Sequence, residues 1–287
     1  MSISNGAPPS TVELGQGTIR YRDLGPKDGE PLLFVHGLLV DGRLWDGVAE
    51  RLVDRFRCIV PDLPMGSHRT AMNPDADLAP PAIAELIAEF IGSLGLDRVT
   101  LVGNDSGGAI SQMLTAEHPE LVERLILTNC DMLEHFPPFP FSLMPPIARL
   151  PGGMAALAAP FRIGPVARFT YGQFTKRPLP AELIASWLEP AFTDKAIRRD
   201  GGKLTAGVSK QQTIAAAEKL RTFERAVRFI WGTEDRFFKL AYAQRLAAMI
   251  PDAKIVEVPG GKTFVPLDEP GRVAELISEL VAEPVVA

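Results

Sequence analysis

One stretch limits the possible folds more than any other: Leu101-Val102-Gly103-Asn104-Asp105-Ser106-Gly107-Gly108-Ala109-Ile110. An apolar run at 99–102 reads as a buried strand, and a helix-like run at 109–118 follows after a turn of small residues. A strand that reverses sharply into a helix needs small residues at Gly103 and Gly107, so that backbone and helix can approach. The residue between them is then held in a strained conformation, with its side chain pointing up from the sheet. Its neighbour's N–H lies at a helix N-terminus, where it can stabilise developing negative charge. The plainer alternative is an ordinary strand–turn–helix with an Asp near the helix start.

The flanking chain repeats this alternation. A hairpin is predicted over 11–24, around Gly15-Gln16-Gly17. Apolar strands are predicted over 31–37, ending at His36-Gly37, and over 56–62, ending at Pro61-Asp62. Further strands are read at 124–128, 226–232 and 254–258, and helices at 44–53, 82–94, 241–250 and 273–281. The strands lack a polar face. That predicts an α/β fold with a mostly parallel central sheet flanked by helices. Between 131 and 226 the alternation stops, and Pro, Phe, Ala and Met dominate. Short helices are read at 153–159, 165–174, 180–192 and 213–220. The expectation is a core domain of 11–130 and 227–287, with 131–226 as a helical cap over the sheet's C-terminal edge. Its aromatic content suits a pocket roof, although core packing explains it equally well.

Composition narrows the partners. The 287 residues are 46% hydrophobic, enough for one large core, and the net charge is −5. No basic run appears, which argues against nucleic acid. Cys58 and Cys130 lie in apolar runs, as reduced buried thiols in a cytoplasmic protein would. The polar stretch Met1 to Ser10 has no apolar segment of the secretory kind. No apolar stretch is long enough to cross a bilayer, so no membrane partner is expected. No Cys/His cluster suggests a metal, and no cofactor is expected. An exposed cap edge could make a homodimer, but nothing in the sequence selects one.

Four signposts occur in order: His36-Gly37, Pro61-Asp62, Gly103-Asn104-Asp105-Ser106-Gly107, and Trp231-Gly232-Thr233-Glu234-Asp235. From about Leu14 onward the chain resembles the α/β-hydrolase fold superfamily, in which Gly-x-Ser-x-Gly is the nucleophile elbow. Asp in place of that Ser resembles the haloalkane dehalogenase and epoxide hydrolase branch. The resemblance implies that Asp105 is a nucleophile, forming an ester with an electrophilic carbon; a carboxylate needs no base to attack. It implies an oxyanion hole from the N–H groups of Leu38 and Ser106, and Asp235 as the triad acid. A turn or helix-cap role for Asp235 is the alternative. Asp131, after the strand preceding the insertion, matches an alternative acid position in some dehalogenases; a plain loop role is the preferred reading.

The departures matter as much. The family's catalytic His stands seven residues before a Pro; counting back from Pro270 reaches Thr263, and no His follows His135. Without that His, an ester on Asp105 could form and stall. Lys262 could act as a base only with a strongly lowered pKa. Dehalogenases carry halide-holding groups where Leu38 and Ser106 stand here, and epoxide hydrolases use two cap tyrosines where the insertion has only Tyr171. His68, in the loop after the second parallel strand, could reach Asp105 and replace the missing His; a loop-structuring role is the alternative. His36, Tyr171, Lys262 and Thr263 are the expected substrate contacts. The leading reading is a hydrolase with an Asp nucleophile acting on a small-to-medium apolar ester, epoxide or halide-like molecule. The alternatives are a non-hydrolytic isomerase, lyase or cyclase using Asp105 as base, and a ligand-binding pseudo-enzyme.

Overall fold

The computed structural model describes residues 9–283. The N-terminal stretch read above as signal-free lies almost wholly outside them, as do the last four residues of the 227–287 range.

Eight strands form one sheet in the order β1-β2-β4-β3-β5-β6-β7-β8. They are β1 Ser10–Leu14, β2 Gly17–Leu24, β3 Pro31–Val35, β4 Arg57–Asp62, β5 Val99–Asp105, β6 Val122–Cys130, β7 Val227–Gly232 and β8 Ala253–Val258. The expected hairpin is β1 and β2, paired antiparallel from Ser10↔Tyr21 to Leu14↔Gly17. β2 joins β4 antiparallel, and every pairing from β4 through β8 is parallel.

The purely apolar strands have the predicted cause. Along β3, Leu33 and Val35 enter the core on one face while Leu32 and Phe34 enter the other. Along β6, Leu125 and Leu127 take the first face and Ile126 the second. With side chains alternating at a period of two, burial on both faces requires an apolar residue at every position. The covering helices include Pro80–Ser93, whose Ile83, Leu86, Ile87, Phe90 and Ile91 are buried as one stripe.

Between β6 and β7 the described chain forms helices and turns, apart from an isolated bridge between Met132 and His135. The four expected helices occur as Gly153–Ala158, Gly164–Tyr171, Ala181–Thr193 and Lys210–Leu220. Two more, Met144–Ala148 and Lys195–Gly207, carry no sequence expectation; in the second, Gly201-Gly202 at the middle reads as a breaker. Packing explains the glycine pair. A Cβ at Gly201 would lie 3.1 Å from the Gly66 Cα, so the missing side chain lets this helix close onto the loop after β4. The helix expected over 44–53 is shorter: a 3-10 turn at Gly42–Trp45 and a single α-turn at Asp46–Ala49.

Two Gly→Ala changes should have opposite signs. At Gly107 a Cβ would enter the space of the His36 carbonyl oxygen, whereas at Gly92, in an exposed helical turn, nothing lies within 4 Å. Gly107→Ala should destabilise by about 1–3 kcal/mol or prevent folding. Gly92→Ala should stabilise by roughly 0.5–1 kcal/mol. Denaturant midpoints check both.

Candidate active site

β5 runs without a break into the helix Ser106–Glu117, and Asp105 sits at the junction with φ +55° and ψ −135°. This is a costly conformation for a residue with a side chain, about 1–3 kcal/mol. Close packing holds it there. A Cβ at Gly103 would lie 2.6 Å from Ser111 Oγ and 2.8 Å from the Gly108 Cα. Added atoms at Gly107 and Gly108 would collide with the His36 carbonyl and with Cys130. Gly37 serves the site directly, because any side chain there would occupy the space of the Asp105 carboxyl group.

The Asp105 carboxyl group is buried, and its pKa is pushed up to about 7. Burial is the main cause. The N–H groups of Leu38 and Ser106 oppose it by hydrogen bonding, and the charge of Asp235 reinforces it. These are the two N–H groups expected to form the oxyanion hole. The Leu38 N–H also donates to Ser106 Oγ at 2.9 Å.

Asp235 follows β7 and is well supplied with donors. Its Oδ1 accepts from the backbone N–H of Phe237 (2.7 Å) and Phe238 (3.1 Å). Its Oδ2 accepts from Asn129 Nδ2 and Thr263 Oγ1, both at 2.9 Å. Asp235 therefore organises a turn and also meets the residue in the catalytic-His position. Thr263 is fully buried, and its carbonyl accepts from Asn104 Nδ2 at 2.7 Å. A hydroxyl donating to Asp235 satisfies that carboxylate but supplies no base at neutral pH.

Asp131 is the residue that sequence reasoning undervalued. It is 2% exposed, its backbone N–H faces the Asp105 carbonyl oxygen at 3.4 Å, and its Oδ1 has no hydrogen-bond partner. Burial raises its pKa well above the carboxylate range, and the charges of Asp105 and Asp235 add to the rise. The position of Asp131 just past an apolar strand, beside the elbow strand, was the available signal.

Asp105, Ser106, Asp131 and Leu38 line one cavity of about 120 Å³. Its other walls are mainly apolar, including Phe136, Phe141, Phe161, Phe174, Phe238 and Phe264. Tyr171 also lines it, but its hydroxyl donates to the Leu39 carbonyl at 2.6 Å and is spent there. Among the described residues, no His, Lys or Arg lines the cavity. Among the described residues, no group of three or more His, Cys, Asp and Glu is arranged to hold a metal.

The other expected site residues lie elsewhere. His68 does not line the cavity. Its Nδ1 accepts from the Gly66 N–H at 3.3 Å, and its Nε2 lies 3.2 Å from Asp200 Oδ2. Both ring nitrogens are engaged there, which supports the loop-structuring alternative over the role of substitute base. The buried Asp200 carboxylate, which also accepts from the Met72 N–H and Arg199, claims the imidazole for packing the loop onto the helix Lys195–Gly207. His36 is likewise structural rather than a substrate contact. Nδ1 faces the Gly37 carbonyl and Nε2 accepts from the Leu63 N–H, each at 2.9 Å, which ties the ends of β3 and β4 together. Lys262 donates its ammonium to the Thr175 carbonyl at 2.9 Å, away from the cavity. Thr263 touches Asp235 rather than the cavity, and its neighbour Phe264 forms the wall.

The comparisons agree with this architecture. A family model described as alpha/beta hydrolase fold matches residues 30–270. The chain is 28% identical to haloalkane dehalogenase 2 of Mycobacterium tuberculosis over 281 residues, covering 92% of this chain and 91% of the relative. It is 24% identical to epoxide hydrolase 2 of Caenorhabditis elegans over 302 residues, covering 95% and 79%. A haloalkane dehalogenase structure from Bradyrhizobium elkani superimposes with a TM-score of 0.79 at 21% identity, covering 96% of this chain and 99% of that one; at that identity the likeness speaks for the fold. With the sheet, the strained Asp elbow and the family match together, the chain belongs to the α/β-hydrolase fold family, and it is similar there to haloalkane dehalogenases and epoxide hydrolases.

Proposed function

We propose that the protein hydrolyses a small apolar epoxide or activated ester, with Asp105 as nucleophile and Asp131 as the acid that becomes the base. The observation that carries this reading is Asp131, a residue lining the cavity that holds Asp105, whose Oδ1 is buried without a hydrogen-bond partner. With an epoxide, an Asp105 oxygen forms a bond to a ring carbon. The ring C–O bond breaks toward oxygen, which takes the Asp131 proton. Asp131, now a carboxylate, removes a proton from water as that water attacks the Asp105 ester carbon. The resulting oxyanion lies at the Leu38 and Ser106 N–H groups. Collapse expels the diol oxygen, which takes the proton from Asp131, and the carboxylic acid left at Asp105 then passes its own proton to the Asp131 carboxylate. One water is consumed, and both carboxyl groups return to their starting states. The exchange of acid and base roles follows the logic of two-carboxylate hydrolysis, and the insertion over 131–226 acts as the cap that excludes bulk water.

A halide substrate fits less well. The indole N–H groups of Trp187 and Trp231 are donated to Asp41 and to the Phe238 carbonyl. Leu38 and Ser106 stand where dehalogenase-type halide donors would. One observation favours a second reading: Thr263 leaves no imidazole to drive deacylation. In that reading Asp105 and Asp131 move a proton between two substrate atoms, in an isomerisation or elimination without an ester.

Intact-mass spectrometry during turnover of styrene oxide and of p-nitrophenyl acetate separates the readings. Hydrolysis predicts a transient adduct on Asp105, lost in Asp105→Asn and accumulating in Asp131→Asn with turnover slowed by about 10²-fold or more. Turnover without any adduct, and without ¹⁸O entering Asp105 from labelled water, removes the nucleophile reading.

The pH profile has a definite sign. Asp105 must be ionised, so kcat/KM should rise as pH increases through about 7. Asp131 must be protonated, so the rate should fall again at higher pH. Asp131→Asn should abolish the alkaline fall.

The same burial makes Asp131 a stability liability. Its folded pKa lies above its unfolded one, so stability is greatest below the unfolded value and is lost as pH rises toward the folded value. Asp131→Asn should therefore raise the melting temperature more at pH 8 than at pH 4, as calorimetry at the two pH values would show.

A further inference from the structure

The helical segment between β6 and β7 turns apolar residues outward as well as toward the cavity. Phe139, Leu150 and Phe169 are 75%, 62% and 72% exposed. Single exposed apolar side chains are ordinary, but grouped ones mark an interaction surface. Here they recur in sets along two neighbouring stretches of chain. Leu143, Ile147 and Leu150 recur at steps of four and three, which places them on one side of the turn around Met144–Ala148. Ile163, Val166 and Phe169 recur every third residue along Gly164–Tyr171. Both elements are also walls of the Asp105 cavity. Met144 and Pro145 line it from the first, and Thr170 and Tyr171 from the second. The wet apolar surface and the cavity wall are opposite sides of the same short helices.

Charge identifies the occupant. From 135 to 181 the chain holds Arg149, Arg162, Arg168, Lys176 and Arg177, all exposed, and no Asp or Glu. This stands out in a chain of net charge −5. Arg149 and Arg162 donate to the backbone carbonyls of Ala206 and Phe192 rather than to carboxylates, so their charge stays uncompensated at those contacts. A second copy meeting this face through a two-fold axis would set cations against cations. A lipid surface with anionic headgroups answers both features: it takes apolar side chains into its interfacial layer and pairs phosphates with guanidinium groups. No helix among the described residues is long and apolar enough to cross a membrane, so the contact is peripheral. The sequence expectation of no membrane partner rested on the lack of a spanning stretch, and surface docking needs none.

We propose that this face docks on an anionic phospholipid surface, with Phe139, Leu150 and Phe169 entering the interface and Arg149, Arg162 and Arg168 pairing with phosphates. The walls of the Asp105 cavity then stand against the phase in which an apolar ligand is most concentrated. The proposal holds whichever chemistry Asp105 performs.

Flotation of the full chain tests it, with vesicles of phosphatidylcholine alone and of phosphatidylcholine mixed with phosphatidylglycerol. The protein should float with the mixed vesicles, and added salt should release it. The triple change Phe139→Ser, Leu150→Ser, Phe169→Ser should lower the bound fraction about tenfold or more. The triple change Arg149→Gln, Arg162→Gln, Arg168→Gln should erase the preference for mixed vesicles. All six side chains are exposed, so melting temperatures should stay at the wild-type value; if the Ser triple falls, Phe169→Ser alone serves, with a smaller loss of the same sign. Failure to float, or flotation unaffected by these changes, overturns the proposal. So does a lipid-free dimer that the Ser variants split, with no vesicle binding, because a second copy then covers the face.

Discussion

The carboxyl groups of Asp105, Asp131 and Asp235 lie close enough for their charges to act on one another, and among the described residues no His, Lys or Arg lines the cavity that Asp105 and Asp131 share. Buried charge without a partner is expensive, and proteins relieve it by supplying donors or by retaining protons. Donor supply differs among the three. Asp235 accepts four hydrogen bonds, Asp105 faces two N–H groups, and Asp131 Oδ1 has none. Burial raises the Asp105 pKa to about 7, against the two N–H groups, and raises that of Asp131 as well, with no donor at Oδ1 to oppose it.

This arrangement depends on the backbone at the elbow. Asp105 reaches the cavity only because β5 turns into its helix within one residue, and that turn is possible only where Gly37, Gly103, Gly107 and Gly108 leave room. The register across β5 and β6 then brings Asp131 alongside, since Asp105 pairs with Cys130 past a shift in the ladder. Asp131 is the first residue beyond β6, still on the sheet's carboxyl edge, where sites of this architecture lie.

Buried polar contacts hold the helical segment over that edge. The Trp187 indole donates to Asp41, the Tyr171 hydroxyl to the Leu39 carbonyl, and the Phe264 N–H to the Phe174 carbonyl at 2.8 Å. The His68–Asp200 pair belongs to this set. The imidazole that looked available for catalysis instead joins loop to helix, because a carboxylate as deeply buried as Asp200 must find donors.

Much of the fold was legible in the residues themselves. Strands buried on both faces need mostly apolar residues, and β3, β4, β5, β6 and β7 have them, with buried polar exceptions such as Thr100, Thr128 and Arg228. The elbow was legible because few residue types tolerate its backbone. The helix Lys195–Gly207 was not, because Gly201 helps it only through its close approach to Gly66, a contact 135 positions away in the chain. Local chemistry thus determined the sheet, the Asp at its elbow and the missing imidazole at Thr263. Only the tertiary structure decided that His68 is spent on Asp200 and that Asp131, which lines the cavity, keeps a buried Oδ1 without a partner. A side chain's chemical role depends on which donors reach it, and those donors come from distant segments that only the folded chain brings together.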